Sequence, residues 1–297
     1  MMHSSESRPV YPALCVFVGA TLWGLVWYPM RLLEDGGLQG IWLTLILFGA
    51  ALFASLPYTY RAFAQFAHAP GWLLLLTVAA GWTNIAFVEA VLHGNILRVL
   101  LLFYLSPLWA ALMGWAFLRE RVSRVSAASL AIALAGALLM LWNPDIGVPW
   151  PQALSDWFAL SSGFAFAVSN VATRGVQSVS IGTKLFCVGL GVSAMAGAII
   201  LFLGAPVPTV APSIFGGAVA LGVFGILVMT LLVQYGVTHI PVYRSAVITF
   251  VELVAGALSQ ALLTDEVVTA REWIGGALIV FGALVAARVS APVEPRN

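Results

Sequence analysis

Two stretches of this chain decide its fold, because the second repeats the first in its polar positions. Residues 93–120 read HGNILRVLLLFYLSPLWAALMGWAFLRE, and residues 239–266 read HIPVYRSAVITFVELVAGALSQALLTDE. An offset of 146 positions superimposes three polar pairs, which are His93 with His239, Arg98 with Arg244, and Glu120 with Glu266. Only 8% of the residues are charged and only 4 are histidine, so three such matches in one register are hard to produce by chance. The pattern indicates a duplicated chain.

The composition predicts a protein that lies in a lipid bilayer. Of the 297 residues, 61% are hydrophobic, and the mean hydropathy is +1.00, which leaves too few polar side chains to cover a soluble domain of this size. The net charge of +1 gives no reason to expect a nucleic acid partner. The two cysteines lie far apart in apolar segments and the four histidines are scattered, so we expect no disulfide, metal site or cofactor.

The apolar segments predict ten transmembrane helices. A helix needs about 20 residues to cross the hydrocarbon core of a membrane. Segments near that length, delimited by charged or Pro/Gly-rich boundaries, are residues 10–30, 38–60, 71–92, 96–118, 125–142, 153–173, 183–203, 213–236, 242–263 and 271–288. The sequence therefore predicts an all-α integral membrane protein, with five spans in residues 1–145 and five in residues 146–297.

Basic residues near the span ends predict the orientation, because positively charged loops tend to stay in the cytoplasm. With a cytoplasmic N-terminus, the cytoplasmic side collects Arg8, Arg61, Arg119, Arg121, Arg124, Arg174, Lys184, Arg244, Arg288 and Arg296. The other side keeps Arg31, Arg98 and Arg271. We therefore expect both termini in the cytoplasm, and a first span that is retained because no signal cleavage site is visible.

The odd number of spans in each half makes the repeat inverted. The second half must enter the bilayer from the side opposite to the first, so Arg98 lies at the outer end of span 4 and Arg244 at the inner end of span 9. Two inverted halves can form two nearly equivalent conformations, each open to one side, as alternating access requires. This architecture is typical of a secondary transporter.

Short motifs in both halves resemble a known family. The run LFYLSPLW at 102–109, followed by LRERVS at 118–123, resembles the fourth helix of the drug/metabolite transporter (DMT) superfamily, in the group with paired EamA domains. The run FVELVA at 250–255, followed by LTDE at 263–266, resembles its ninth helix, and the pair Trp23-Gly24 also fits. The resemblance covers nearly the whole chain, and within the superfamily the sequence looks most like the YddG-type exporters of aromatic and other amino acids.

The resemblance implies ten helices around a central cavity lined by spans 1, 3, 4, 6, 8 and 9. It further implies a monomeric exporter of small metabolites, above all aromatic and other neutral amino acids, in the plasma (inner) membrane of a bacterium. Leu253 stands where the second copy often carries proline, so helix 9 is expected to be less kinked than helix 4. Open alternatives are a passive facilitator, an exporter of a drug or sugar-like solute and, more distantly, an intramembrane enzyme.

Aromatic and amide side chains at membrane depth are the candidate ligands of the solute. Uncharged polar groups at this depth normally face a protein interior or water, and aromatic walls suit a ring-bearing amino acid whose ammonium can meet a π-face. Ordinary helix packing is the alternative role for each residue. The candidates are Trp23, Trp27, Asn84, Tyr104, Trp109, Asn170 and Gln234.

Two carboxylates, Glu89 and Glu252, stand deeper than the boundary charges and are candidates for proton coupling or for bracing a helix. An ionisable side chain at bilayer depth costs on the order of 3 kcal/mol, so it is a functional candidate by default. Glu89 lies four residues before His93 and could pair with it.

Pro107 can bend span 4, and Gly94 and Gly236 near the ends of spans 3 and 8 are candidate hinges.

Overall fold

The computed structural model describes residues 10–38, 40–59, 62–142, 150–264 and 268–288, and the regular structure within these ranges is helical throughout. The α-helices are α1 Val10–Leu25, α2 Trp27–Asp35, α3 Gly40–Ser55, α4 Ala62–Phe66, α5 Pro70–His93, α6 Ile96–Phe103, α7 Ser106–Leu118, α8 Arg124–Leu141, α9 Leu154–Gly175, α10 Ile181–Leu203, α11 Pro212–Ala220, α12 Leu227–His239, α13 Val242–Thr249, α14 Val251–Leu263 and α15 Ala270–Arg288. A 3₁₀ turn covers Leu56–Tyr58, and a π-helical segment, Leu221–Ile226, joins α11 to α12.

Within the described ranges, eight helical segments are long and apolar enough to cross a membrane, against the ten spans predicted from the sequence. They are Val10–Asp35, Pro70–Val91, Arg98–Leu118, Arg124–Leu141, Ile181–Leu203, Pro212–His239, Val242–Leu263 and Ala270–Arg288. The helix α3 is apolar but only 16 residues long. The helix α9 has 22 residues, but it carries charges near both ends and is less apolar than these eight.

The duplication seen in the sequence extends to the packing of the helices. In one set of contacts, α9 packs against α5 and α7, and in the other, α1 packs against α12 and α14. The 146-residue offset relates α9 to α1, α5 to the α11–α12 rod and α7 to α14, so the two sets are the same arrangement with the halves exchanged. The helices α8 and α15 pack on each other, as do α3 and α10. The division between residues 145 and 146 lies outside the described residues.

Glycines allow close helix approaches in both halves. A Cβ on Gly163 of α9 would lie 2.5 Å from the carbonyl oxygen of Phe103, and one on Gly24 of α1 would overlap the carbonyl oxygen of Glu252. Small residues let backbones approach closely in membranes, where dispersion and hydrogen bonds, rather than the hydrophobic effect, hold helices together. These contacts fix α9 and α1 beside the middle of spans 4 and 9.

Spans 4 and 9 are both broken in the middle. Span 4 is interrupted between α6 and α7 at Tyr104 and Leu105, just before Pro107. Span 9 is interrupted between α13 and α14 at Phe250 alone, so it breaks without a proline, over one residue rather than two. Four of the five residues 247–251 are β-branched, which weakens a helix at this point. Tyr104 and Phe250 are equivalent in the repeat, and their rings stack with centroids 5.8 Å apart and an interplanar angle of 25°.

A substitution at the α8–α15 contact tests this packing. A Cβ on Gly136 would lie 2.6 Å from the carbonyl oxygen of Gly275, so we expect Gly136→Ala to destabilise the protein by about 1–3 kcal/mol. Nothing lies within 4 Å of the corresponding atom on Gly197, so Gly197→Ala should leave stability unchanged or slightly raised. Thermal unfolding in detergent measures both, and equal midpoints for the two variants would contradict the close contact.

Candidate functional site

A cavity of about 1020 Å³, its open mouth included, lies between helices of both halves. Its aromatic wall consists of Trp23, Phe48, Phe87, Phe103, Tyr104 and Phe166. Its polar groups are Thr83, Asn84, Ser169, Asn170, Thr230, Gln234, Thr249 and Glu252. The spans that contribute most of these side chains are those that the sequence analysis expects around a central cavity. A largely apolar cavity with a few convergent polar groups is the usual form of a small-molecule site.

The aromatic wall is centred on Phe103, at the end of α6. The Phe103 ring centroid lies 4.9 Å from that of Phe87 and 5.7 Å from that of Phe166, both in tilted arrangements. It also meets the Tyr104 ring edge to face at 5.4 Å. These contacts join the rings of α5, α6 and α9 into one continuous surface, against which an apolar or aromatic solute can pack.

The polar groups of the cavity differ in how much of their hydrogen-bonding capacity the protein uses. Asn84 Nδ2 donates to the Ala80 carbonyl at 3.0 Å, and the Thr83 hydroxyl donates to the Ala79 carbonyl at 2.7 Å. The buried Thr230 hydroxyl has no partner within the described ranges. Gln234 Oε1 accepts from the Thr173 hydroxyl at 2.9 Å, so the Gln234 amide group keeps its N–H donors for the cavity.

Glu252 is the one charged side chain that lines the cavity among the described residues. Its carboxyl group interacts with the Tyr104 hydroxyl, and no ion pair neutralises it in the part of the chain that the structure describes. A carboxylate in such surroundings can accept a proton or bind an ammonium group. Glu252 is therefore placed to meet the charged part of a solute.

Two predicted ligands, Trp27 and Trp109, are not among the residues that line the cavity. Trp27 follows Val26, the one residue between α1 and α2, and donates its indole N–H to Ser259 Oγ at 2.9 Å. Trp109 packs edge to face on Phe164, with ring centroids 5.8 Å apart. The other five, Trp23, Asn84, Tyr104, Asn170 and Gln234, all line the cavity.

Glu89 lies apart from the cavity, near the end of α5. Its carboxylate is 3.5 Å from His93 Nδ1, and both side chains are at least one-third exposed. This is the pairing that the sequence offers as the structural alternative. An exposed pair of this kind contributes little to stability.

The candidate hinges occupy three different environments. Gly94 caps the C-terminus of α5 in an extended conformation, and Pro107 lies in the first turn of α7 directly after the break in span 4. Gly236 lies inside α12, where an added Cβ would be 2.7 Å from the Pro12 carbonyl oxygen. Gly236 therefore brings α12 close to α1, and a hinge role for any of the three stays a prediction.

A buried polar network that the sequence analysis did not anticipate runs from the cavity to one end of the bundle. Its centre is Lys184 in α10, which is fully buried. Lys184 Nζ donates to the Thr173 carbonyl at 2.7 Å and to the Thr238 hydroxyl at 2.9 Å, and that hydroxyl donates to the Gln234 carbonyl at 2.7 Å. The sequence shows Lys184 only as a charge near a span boundary. Lys184 lies three residues after the start of an apolar helix, and this position is the signal that could have indicated a buried lysine.

The network continues through Arg174 to the loop after α7. Arg174 donates through Nη1 to the Thr238 carbonyl at 2.7 Å and through Nε to Glu120 Oε1 at 3.0 Å. Glu120 Oε2 accepts from the backbone N–H of Val242 at 2.8 Å. Burial raises the pKa of the Glu120 carboxyl, although its bonds to Arg174 and Val242 act in the opposite direction. We call Gln234, Thr173, Lys184, Thr238, Arg174 and Glu120 the polar network.

The opposite end of α9 is held by a second ion pair. Asp156 Oδ2 accepts from the backbone N–H groups of Gln152 and Ala153 at 2.8 and 3.2 Å, and from Arg98 Nη1 at 3.4 Å. Arg98 Nη1 also donates to Gln152 Oε1 at 3.0 Å. Asp156 therefore caps the N-terminus of α9, where a negative charge is favourable, and ties that terminus to α6.

The sequence profile of the EamA-like transporter family matches residues 11–142 and residues 153–288. An uncharacterized transporter of Archaeoglobus fulgidus is 25% identical over 225 residues, which are 73% of this chain and 76% of that protein. The uncharacterized transporter YojE of Bacillus subtilis is 26% identical over 183 residues, 60% of this chain and 57% of that protein. A crystal structure with 22% sequence identity covers 93% of this chain and 96% of its own with a TM-score of 0.73, and so shares the fold.

Removal of the Asp156 carboxylate tests the anchoring of α9. Asp156→Ala takes away the helix cap and a partner of Arg98 at a site where the Asp156 side chain is only 2% exposed, so we expect a loss of about 3 kcal/mol. Glu272 caps α15 through the Thr269 N–H in an exposed position, so Glu272→Ala should cost about 1 kcal/mol or less. Unfolding in detergent gives both values, and a loss at Asp156 no larger than at Glu272 would refute the anchor.

Proposed function

Because the chain belongs to the EamA-like transporter family, we propose that the cavity is the path of a small solute and that the protein exports neutral amino acids, aromatic ones among them, by alternating access. The chain is a multi-pass membrane transporter and not an enzyme. The observation that carries the proposal is the cavity itself, which combines an aromatic wall with amide and hydroxyl groups and the carboxyl group of Glu252.

The chemistry of the lining matches the three parts of an amino acid. An aromatic or aliphatic side chain packs on the wall around Phe103, where apolar contact is available. The ammonium group binds beside Glu252 and the π-faces of the neighbouring rings. The carboxylate accepts from the Gln234 amide and the Thr230 hydroxyl, which retain donors toward the cavity.

We further propose that α3 and α9 are membrane spans, which completes ten. The ion-paired residues Asp156 and Arg174 stand 18 positions apart in α9, which is about 27 Å of helix and close to the thickness of the hydrocarbon core. Each charge of α9 thus lies at an end and is paired there. The helix α3 is shorter, about 24 Å, and is apolar along its length.

With ten spans, the polar network lies on the cytoplasmic side, and both chain ends lie there as well. Among the described residues, the basic ones at the polar-network end of the bundle are Arg119, Arg121, Arg124, Arg174, Lys184, Arg244 and Arg288. Those at the other end are Arg31, Arg98 and Arg271. Positive residues concentrate on the cytoplasmic side of membrane proteins. Arg8, Arg61 and Arg296 lie outside the described residues. We propose a monomer in the plasma membrane of a bacterium.

Of the two deep carboxylates, Glu252 is the one that we propose for proton coupling. It lines the cavity, whereas Glu89 stands beside His93 outside it.

A passive facilitator is the second candidate function, because the interaction of Glu252 with the Tyr104 hydroxyl also suits a carboxyl group that braces the break in span 9. A drug or a sugar-like metabolite could occupy the same apolar wall.

Exchange in proteoliposomes tests the substrate class. We expect saturable exchange of labelled tryptophan, phenylalanine, threonine and methionine, with tighter binding of the aromatic pair because of the ring-lined wall. If none of the four is transported by protein that remains folded, the assignment to amino acids is wrong. If transport is saturable and its rate does not change when a pH gradient is imposed, the protein is a facilitator.

Selectivity tests the aromatic wall. Trp23→Ala removes a ring from the cavity, so we expect the half-saturation concentration for tryptophan to rise about 5–10-fold, with less than a 2-fold change for threonine. Trp27→Phe alters a ring outside the lining and should leave the tryptophan-to-threonine ratio unchanged. An equal rise for both solutes in Trp23→Ala would argue against stacking at this position.

Paired carboxylate variants test the coupling. Glu252→Gln removes the titrating group of the cavity, so the stimulation of transport by a pH gradient should disappear. Glu89→Gln changes the matched carboxylate outside the cavity and should keep the stimulation. Initial transport rates with and without the gradient supply the measurement. A gradient response that survives in Glu252→Gln would assign Glu252 to helix bracing.

A further inference from the structure

The two ends of the helix bundle are closed to different degrees. The helices α6 and α13 are equivalent in the repeat and lie at opposite ends. Every residue of α13 from Val242 to Ile248 is buried. In α6, Val99, Leu101 and Leu102 are buried as well, but Leu100 and Phe103 are only partly buried and line the cavity. The bundle is therefore shut at the α13 end, where the polar network lies, and more open at the α6 end.

The polar network joins the helices that meet at the shut end. Lys184 links α10 to α9 and α12, and Arg174 links α9 to α12 and to the loop after α7. Glu120 in that loop reaches the first backbone N–H of α13. The end cannot open by separation of these helices unless these hydrogen bonds break.

We propose that the polar network is the closed gate on the α13 side of the cavity, and that Gln234 is the point at which a bound solute acts on it. Gln234 is the network member that lines the cavity. Its Oε1 is held by the Thr173 hydroxyl, and its backbone carbonyl by the Thr238 hydroxyl. The inference rests on the proposed function in one respect, which is that the cavity is the path of the solute.

The energetics of Lys184 make the gate two-state. A buried ammonium that loses its acceptors is strongly unfavourable, so Lys184 cannot release the Thr173 carbonyl and the Thr238 hydroxyl while the end stays dry. Once the helices separate, water replaces both acceptors. Partial opening therefore costs more than either the closed or the wetted state, so the network opens as a unit.

A bound solute alters this balance at Gln234. The acceptor group of a solute binds the Gln234 amide N–H groups and draws the amide away from Thr173, which adjoins Arg174 in α9 and offers its carbonyl to Lys184. The contact between α9 and α12 is thereby weakened at the place where the network holds it. Thr173 and Lys184 act as positioning residues, since neither lines the cavity.

Side-specific labelling of one cysteine tests the gate without any solute. The reporter is Ser169→Cys in the cavity, in a background where Cys15 and Cys187 are replaced by alanine. Membrane-impermeant thiol reagents are applied to right-side-out and inverted vesicles. We expect the parent to react mainly from the α6 side. Thr238→Val, which keeps the shape but removes the hydroxyl that Lys184 needs, should raise labelling from the network side about 10-fold, while Thr238→Ser should match the parent.

A second pair of variants tests the role of Gln234. Saturating tryptophan should raise network-side labelling in the parent and in Thr173→Ser, and this response should be lost in Thr173→Val, which removes the hydroxyl bonded to Gln234 but keeps the carbonyl bonded to Lys184. Thermal unfolding in detergent verifies that each variant is folded.

The outcomes separate the gate from the substrate assignment. Unchanged network-side labelling in folded Thr238→Val overturns the gate, whatever the solute. Increased labelling in Thr238→Val without any effect of tryptophan upholds the gate; it contradicts the action at Gln234 if tryptophan is transported, and the amino-acid assignment if tryptophan is not transported. If tryptophan is transported but Thr173→Val responds like the parent, the proposed function stands and the role of Gln234 is wrong.

Discussion

The stack of the Tyr104 ring on the Phe250 ring is the contact on which the rest of the structure depends. Each ring stands at the break of a span, and the two are equivalent in the repeat, so the halves meet at their interrupted helices. A broken helix frees backbone groups that cannot be left unpaired in hydrocarbon, so such breaks persist only inside protein or beside a water-filled space. The cavity lies at this level, with Thr249 and Glu252 on either side of Phe250 in its lining.

The distribution of charge follows from the same constraint. Ionised groups inside a membrane protein need partners, and two ion pairs form at the ends of the bundle. Arg98 and Asp156 pair at one end of α9, and Arg174 and Glu120 pair at the other. Glu252 departs from this rule, because it faces the cavity in the middle of the bundle without an ion pair in the described part of the chain. A departure of this kind marks the place where a solute or a proton can supply the missing charge.

The predicted site residues divide according to local backbone geometry. Trp23, Asn84, Tyr104, Asn170, Gln234 and Glu252 line one cavity, although they are scattered over both halves of the sequence. Trp27 instead follows the interruption between α1 and α2 and donates its indole N–H to Ser259 Oγ. Sequence spacing alone could not reveal that interruption. From the sequence, Lys184 predicts only which side of the membrane is cytoplasmic, because a charge near a span boundary does not show which hydrogen-bond acceptors will surround it.

The sequence by itself determined that the chain lies in a membrane and that it is duplicated, and it predicted that the second half is inverted. Composition, span length and polar matches in one register depend only on the order of the residues, so they can be read without coordinates. Only the tertiary structure decided which polar groups face the cavity and which join the polar network. The physical reason is that spans which are apolar all round carry no stripe to mark an inner face, so the orientation of each helix is set by close contacts such as those at Gly24 and Gly163.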